Sequence, residues 1–260
     1  MSRPVFTLGL RLRLTGAIIT GVGLIVVLIL VGSLFPSVGH TIGQLNVPES
    51  VANLLGGADY GTVTGWFRGE MGAIYGPLLA AALAITGASA TIAGEEEDHI
   101  LALVLAYPIR RSHLVAAKAC AIAIVVVIIA VGAWIGLLLG VAAAGGGISV
   151  GNMAALSVHL AFFGFASGAV AVAVAAGTGR RALATGVASA VGILGWLVNS
   201  FAPLVSGLGW MKYLSPYYYY ASHDPLSRGI GIGGLVVLGA LAIVLTAVGM
   251  VAIERRDLRG

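Results

Sequence analysis

The densest group of chemically capable side chains in the chain is the run Glu95-Glu96-Glu97-Asp98-His99. Glu95 and His99 stand at i and i+4, one turn apart on a helix, a spacing that can hold a metal ion. His113 is the only other His or Cys nearby, so the set falls short of a ligand shell. Paired glutamates beside a membrane can also activate water, as in intramembrane proteases built on E-E-x-x-x-R. Neither glutamate pair here is followed by Arg at the required position. Ser167, in Gly-Phe-Ala-Ser-Gly, has the wrong spacing for an intramembrane serine nucleophile. Gly229-Ile-Gly231-Ile-Gly-Gly234 matches G-x-G-x-x-G, but it opens an apolar run instead of joining a strand to a helix, so it reads as packing. The pattern G-x-x-x-x-G-K-[ST] is absent and the only lysines are Lys118 and Lys212, so the chain is not expected to hydrolyse ATP by itself. With the single Cys120 it forms no internal disulfide and no cysteine-based metal site. No catalytic, cofactor or metal residues are therefore expected on this chain.

The elements that carry these residues follow from composition. Of 260 residues, 59% are hydrophobic and 9% charged, against about 45–50% and 25% in soluble proteins. Mean hydropathy is +1.03. Too little polar surface remains to coat a globule, so the chain must meet lipid. Apolar stretches of 20 or more residues without strand-like alternation read as helices, because a lipid-exposed backbone must satisfy its own hydrogen bonds. Six are expected: Gly16–Phe35, Met71–Ala93, Leu114–Val141, Met153–Gly177, Ala182–Ala202 and Ile230–Ile253. The fold class is all-α, a polytopic membrane protein with one transmembrane domain over 1–260. The first run exceeds the length of a cleaved signal segment and no A-x-A site follows, so it is expected to be retained.

Basic residues set the orientation. Arg3, Arg11, Arg13, Arg110, Arg111, Lys118, Arg180, Arg181, Arg255, Arg256 and Arg259 fall on one side, and only Arg68, Lys212 and Arg228 on the other. Both termini are thus expected in the cytoplasm. Short, dispersed basic groups make no groove for nucleic acid.

Two outer loops, Pro36–Glu70 and Pro203–Gly229, exceed the usual length of unstructured connections. Pro48–Gly56 reads as a short helix with Pro at its start and Gly at its end. Trp210, Tyr213 and Tyr217–Tyr220 suit the outer aromatic belt, with a substrate-contacting platform as the alternative. In the inner loop, four acids ahead of an apolar stretch suit a helix N-terminus. Pro108 would end that helix, and Ser112 could cap the third span. Lys118 and His159 lie within two turns of span ends and read as snorkelling or interfacial. Gly132, Gly136 and Gly140 form a ridge for close helix packing, a contact between chains included.

The inner loop resembles that of the membrane subunits of type-2 ATP-binding-cassette (ABC) exporters, whose motif is close to A-G-E-E-E-x-G-T-L-E-L-L-L-A-x-P-[VI]-S-R with a Lys inside the third span. This chain has Ala93-Gly94-Glu95-Glu96-Glu97, Leu101, Leu103, Leu105-Ala106, Pro108-Ile109, Arg110, Arg111 and then Lys118. Outer segments are similar as well: Pro48-Glu49, Leu54-Leu55-Gly56-Gly57, Asp59, Gly65-Trp66, Pro77, and Leu214-Ser215-Pro216-Tyr217-Tyr218-Tyr219 followed by Asp224-Pro225-Leu226. His99 replaces the family's usual Gly, and Ala102 stands where Glu is common.

The resemblance implies a coupling helix over Gly94–Tyr107 that docks on a separate ATPase subunit. Its contact residues would be Glu95, Glu96, Glu97, Asp98, His99, Leu101, Leu105, Pro108, Arg110 and Arg111. Arg3, Arg11 and Arg13 would belong to an interface helix, Arg3–Leu14, flanking the same ATPase. ATP and Mg would be bound by the partner, and two permease chains, alike or different, would form the transporter. The expected function is the permease subunit of an ATP-driven exporter in the plasma or inner membrane of a prokaryote. It would move an amphipathic or lipid-like compound, drug or antibiotic outward. Trp196, Asn199 and Ser200 are candidate path residues. An ion-coupled secondary transporter would show repeat symmetry and midplane charges, and a membrane-embedded enzyme a clustered acid–base set. Neither pattern is found in the sequence.

Overall fold

The computed structural model describes residues 3–43, 59–101 and 110–257. It contains six helices long and apolar enough to cross a membrane, as expected, and no strand occurs among the described residues. They are α1 (Arg3–Leu34), α2 (Val63–Glu97), α3 (Arg111–Ala143), α4 (Val150–Thr178), α5 (Arg181–Phe201) and α6 (Ile232–Arg255). α2 is not uniform. Two wider, π-type stretches, Arg68–Tyr75 and Ala90–Gly94, interrupt it, a departure from regular pitch that often marks functional positions in helices. The expected helix over 48–56 lies outside the described residues.

α1 has 32 residues and is unbroken, so it is about 48 Å long, beyond the roughly 30 Å of a hydrocarbon core. The expected interface helix is therefore the projecting end of the first span and no separate element. The reason is local: Pro4 sits in the first turn, where proline is tolerated, and the five glycines between Arg3 and Leu34 are isolated from one another and do not interrupt the helix.

α4 packs against α2, α3, α5 and α6. Ser149 caps its start by accepting from the Asn152 N–H at 3.1 Å, and Gly179 closes its end in the left-handed region, φ 60°. α1 packs along α3 through the glycine ridge. A Cβ at Gly140 would lie 2.3 Å from the Leu28 carbonyl oxygen, and one at Gly136 would lie 2.7 Å from Leu28 Cδ1. The ridge is thus consumed within the chain, and the expected contact between chains at this place is corrected: the backbones of α1 and α3 occupy it.

The aromatic run divides in two. Trp210 and Tyr213 are 59% and 52% exposed, as an interfacial belt requires. Tyr217 and Tyr220, on the short helix Pro216–Ala221, are buried instead. Their phenols donate to the Ala73 and Gly72 carbonyls at 3.0 and 2.8 Å. Those carbonyls belong to the first widened stretch of α2, so the two tyrosines satisfy and clamp an irregular backbone.

Candidate functional site

The acidic run stands at the C-terminal end of α2, not at the start of a new helix. Regular helix ends at Glu97, Asp98 leaves the helical region with ψ 7°, and His99 takes φ 57°. The continuous helix expected over 94–107 is therefore broken at His99, with helix resuming at Ile100 and Leu101. Leu105 and Pro108 lie outside the described residues. The dipole argument fails here because a helix C-terminus disfavours acids, and partners from the other helices compensate instead.

Those partners form one junction. Lys118 of α3 pairs with Glu95 and donates to the Thr91 carbonyl. Glu96, 1% exposed, receives both terminal nitrogens of Arg256, from just beyond α6, at 2.9 and 2.5 Å. The same guanidinium donates through Nε to the Ala176 carbonyl of α4 at 3.2 Å. Arg111 of α3 donates to the Arg256 carbonyl at 2.8 Å. Glu97 accepts from the first backbone N–H of α5, on Arg181, at 2.9 Å. Arg13 of α1 lies within electrostatic reach of Glu95 and Arg181. Residues of all six helices thus gather around three consecutive glutamates, α4 through its contact with Arg256, and residues near both termini reach the same face.

This arrangement corrects two expectations. Lys118 is 4% exposed and ion-paired, so it does not snorkel. α3 begins with Arg110 in extended geometry and no side-chain cap, so Ser112 does not serve as one. Gly179 makes the junction possible. A Cβ there would stand 2.3 Å from Arg256 Nη1 and 2.8 Å from both Glu96 oxygens.

The expected coupling residues accordingly fall into two sets. Glu95, Glu96 and Arg111 face inward into the junction, and Leu101 is buried. Glu97, Asp98, His99, Ile100 and Arg110 are exposed around it. Arg11 is exposed and Arg13 half-buried on α1, whose first residue is Arg3. Among the described residues no group of three His, Cys, Asp or Glu is placed to hold a metal.

On the membrane side, α2 and α5 enclose an apolar groove of about 340 Å³. Ala73, Ile74, Pro77, Leu78, Ala81 and Ile85 line one wall, Ser189, Gly192, Ile193 and Trp196 the other, with Phe163 and Tyr217 between them. Trp196 is among the lining residues. Asn199 and Ser200 lie beyond the lining, about one turn further out on α5. Asn199 is half-buried; Ser200 is buried, and its hydroxyl has no partner among the described residues.

At the N-terminal end of α2, Tyr60 packs edge-on against Trp66, and a Cβ at Gly69 would lie 2.2 Å from its phenol oxygen. Burial, then the nearby Glu70 charge and Tyr75, push that phenol up to about 12. Arg68 is paired with Asp224 at 3.1 Å. His159, buried in α4, has Nδ1 at 2.8 Å from the Ala155 carbonyl and accepts at Nε2 from the Gly231 N–H at 3.3 Å. Both ring nitrogens are thus engaged within the bundle.

The family described as multidrug efflux system permease Rv1217c, C-terminal domain, matches residues 3–253. The chain belongs to that family. No curated protein matches it. It is a multi-pass membrane permease, which agrees with the resemblance carried by the inner-loop motif.

Sequence reasoning about this permease missed Arg256, Gly179 and the Arg181 amide. Arg256 counted only as one of several basic residues at the inner face. Its distinguishing signal was the buried acid it had to meet, 160 residues away, which no local spacing reveals. Glu70 closes the loop expected over Pro36–Glu70, one residue ahead of the expected second span, and the groove residues of α2 are apolar, with no local signal that separates lining from packing.

Proposed function

We propose that this permease is the transmembrane subunit of an ATP-driven exporter, with ATP and Mg bound by a separate ATPase that docks at the junction face. The observation that carries this reading is the division of the acidic run. Glu95 and Glu96 are locked into the helix bundle, whereas Glu97, Asp98, His99 and Ile100 present a mixed acidic and apolar edge directly beside them. A partner gripping that edge moves α2 as a lever. The ion pairs carry the motion to α3 and α6, and the Arg181 amide carries it to α5, as rigid-body shifts of packed helices require. Arg110 extends the docking edge, and the projecting end of α1 flanks it. The basic side faces the cytoplasm, so the junction meets the ATPase there, in a plasma or inner membrane.

The groove between α2 and α5 supports outward movement of amphipathic drugs, antibiotics or lipid-like compounds. Its size falls within the range of drug-sized sites. Trp196 contributes an aromatic wall, with Asn199 and Ser200 as polar groups one turn outward. A second permease chain, identical or related, completes the path.

The test is isolation of the permease from its native membrane in mild detergent. An ATP-hydrolysing subunit in equal amount is the expected result, lost when Asp98 and Ile100 are replaced by Lys and Asp. A permease recovered without any ATPase, yet active in transport, contradicts the proposal.

A further inference from the structure

Five of the described carboxylates have polar partners or cations: Asp59, Glu95, Glu96, Glu97 and Asp224. Asp98, Glu254 and Asp257 are exposed to solvent. Glu70 differs from both groups. It is half-buried, and it makes no ion pair or hydrogen bond among the described residues. Its nearest cation in sequence, Arg68, is committed to Asp224.

The position of Glu70 relates it to the groove. It lies in the widened stretch Arg68–Tyr75, four residues ahead of Ile74 and seven ahead of Pro77. Both of those line the groove, so Glu70 continues the groove-facing stripe of α2 by about one turn outward. Tyr60 is its aromatic neighbour. The groove itself holds three more aromatic side chains, Phe163, Trp196 and Tyr217, and almost no charge. An apolar pocket with aromatic walls and one unneutralised carboxylate at its mouth is complementary to a bulky organic cation. The apolar body leaves water along the groove, aromatic faces favour the cationic charge, and the carboxylate supplies the counter-charge in a partly desolvated place where it is weakly screened.

We infer that Glu70 recognises the positive charge of lipophilic monocations whose apolar bodies occupy the α2–α5 groove. This deepens the proposed function by naming a substrate class, and it rests on the reading of that groove as the path.

The experiment uses the full chain in nanodiscs of uncharged phosphatidylcholine. Tetraphenylphosphonium is the cationic probe, followed by equilibrium dialysis, and N-phenyl-1-naphthylamine is the neutral probe, followed by fluorescence. The wild-type chain binds both. Glu70→Gln weakens tetraphenylphosphonium binding about tenfold, the change that corresponds to about 1.4 kcal/mol, and leaves the neutral probe unaffected. Glu70→Asp, which keeps the charge, stays closer to wild type than to the Gln variant. The inference is overturned by wild-type chain that does not bind tetraphenylphosphonium, or by Glu70→Gln binding it as well as wild type. An equal loss of both probes, or a Glu70→Asp loss as large as that of Gln, also overturns it. Gly192→Trp, which fills the groove, separates the two readings. Undiminished binding of the neutral probe in that variant removes the groove as the path, whatever Glu70 does.

Discussion

Glu96 and Arg256, 160 positions apart, meet in a two-pronged ion pair at 2.9 and 2.5 Å that joins the end of α2 to the end of α6. The carboxylate is 1% exposed. Removing such a charge from water is costly unless a partner with matching geometry receives it, and the planar guanidinium supplies that match. The pair therefore sets the position of the C-terminal end of α2 relative to the bundle, beside the edge proposed to receive the ATPase.

Arg256→Met leaves the Glu96 charge buried without its principal cation. The expected loss is about 3–5 kcal/mol, typical of breaking one side of a buried pair. Glu96→Gln combined with Arg256→Met should recover much of it, because no buried charge is then orphaned. Thermal unfolding of the purified chain in detergent, compared across the two single variants and the double variant, checks this coupling.

Gly179→Ala should destabilise the same junction by a different route. The residue holds φ 60°, and a Cβ would stand 2.3 Å from Arg256 Nη1. The backbone alone contributes about 1–2 kcal/mol, and displacement of the ion pair adds to it. Unfolding midpoints read the effect. A variant as stable as wild type would show that the pair does not rest on this turn.

His99→Gly is expected to stabilise. His99 adopts φ 57°, a conformation that costs a side-chain-bearing residue about 1–2 kcal/mol and glycine almost nothing. The entropy of the unfolded chain offsets part of the gain, so a small rise in unfolding temperature is the expected reading. His99→Ala should give none.

Gly140→Val and Gly186→Ala form a contrasting pair. The first places a side chain 2.3 Å from the Leu28 carbonyl oxygen, so α1 must move away from α3, at about 1–3 kcal/mol or more. The second meets nothing within 4 Å on α5 and should be neutral or mildly stabilising through helix propensity. Equal effects at both sites would contradict the packing described for α1 and α3.

The six spans were readable in sequence because each is a long apolar run, and hydropathy responds to that property directly. The motif at Ala93–Glu97 and Lys118 falls on residues that form the junction. The roles of individual residues there were less visible. Four adjacent acids suit a helix N-terminus by local rules, and only tertiary partners such as Lys118, Arg256 and the Arg181 amide make the C-terminus of α2 acceptable to them. His99 illustrates the converse: its φ of 57° is a conformation that glycine adopts freely, which residue type alone does not disclose. Tyr217 and Tyr220 looked like belt residues because an interfacial phenol and a buried, hydrogen-bonded one have the same sequence signature.

The central claim is that this permease depends on ATP hydrolysed by a partner bound at the junction face. Uptake of N-phenyl-1-naphthylamine into inside-out native membrane vesicles tests it most directly. The account predicts uptake that requires ATP, persists when a protonophore collapses the proton gradient, and disappears when Asp98 and Ile100 are replaced by Lys and Asp. Uptake driven by a proton gradient without ATP would contradict it.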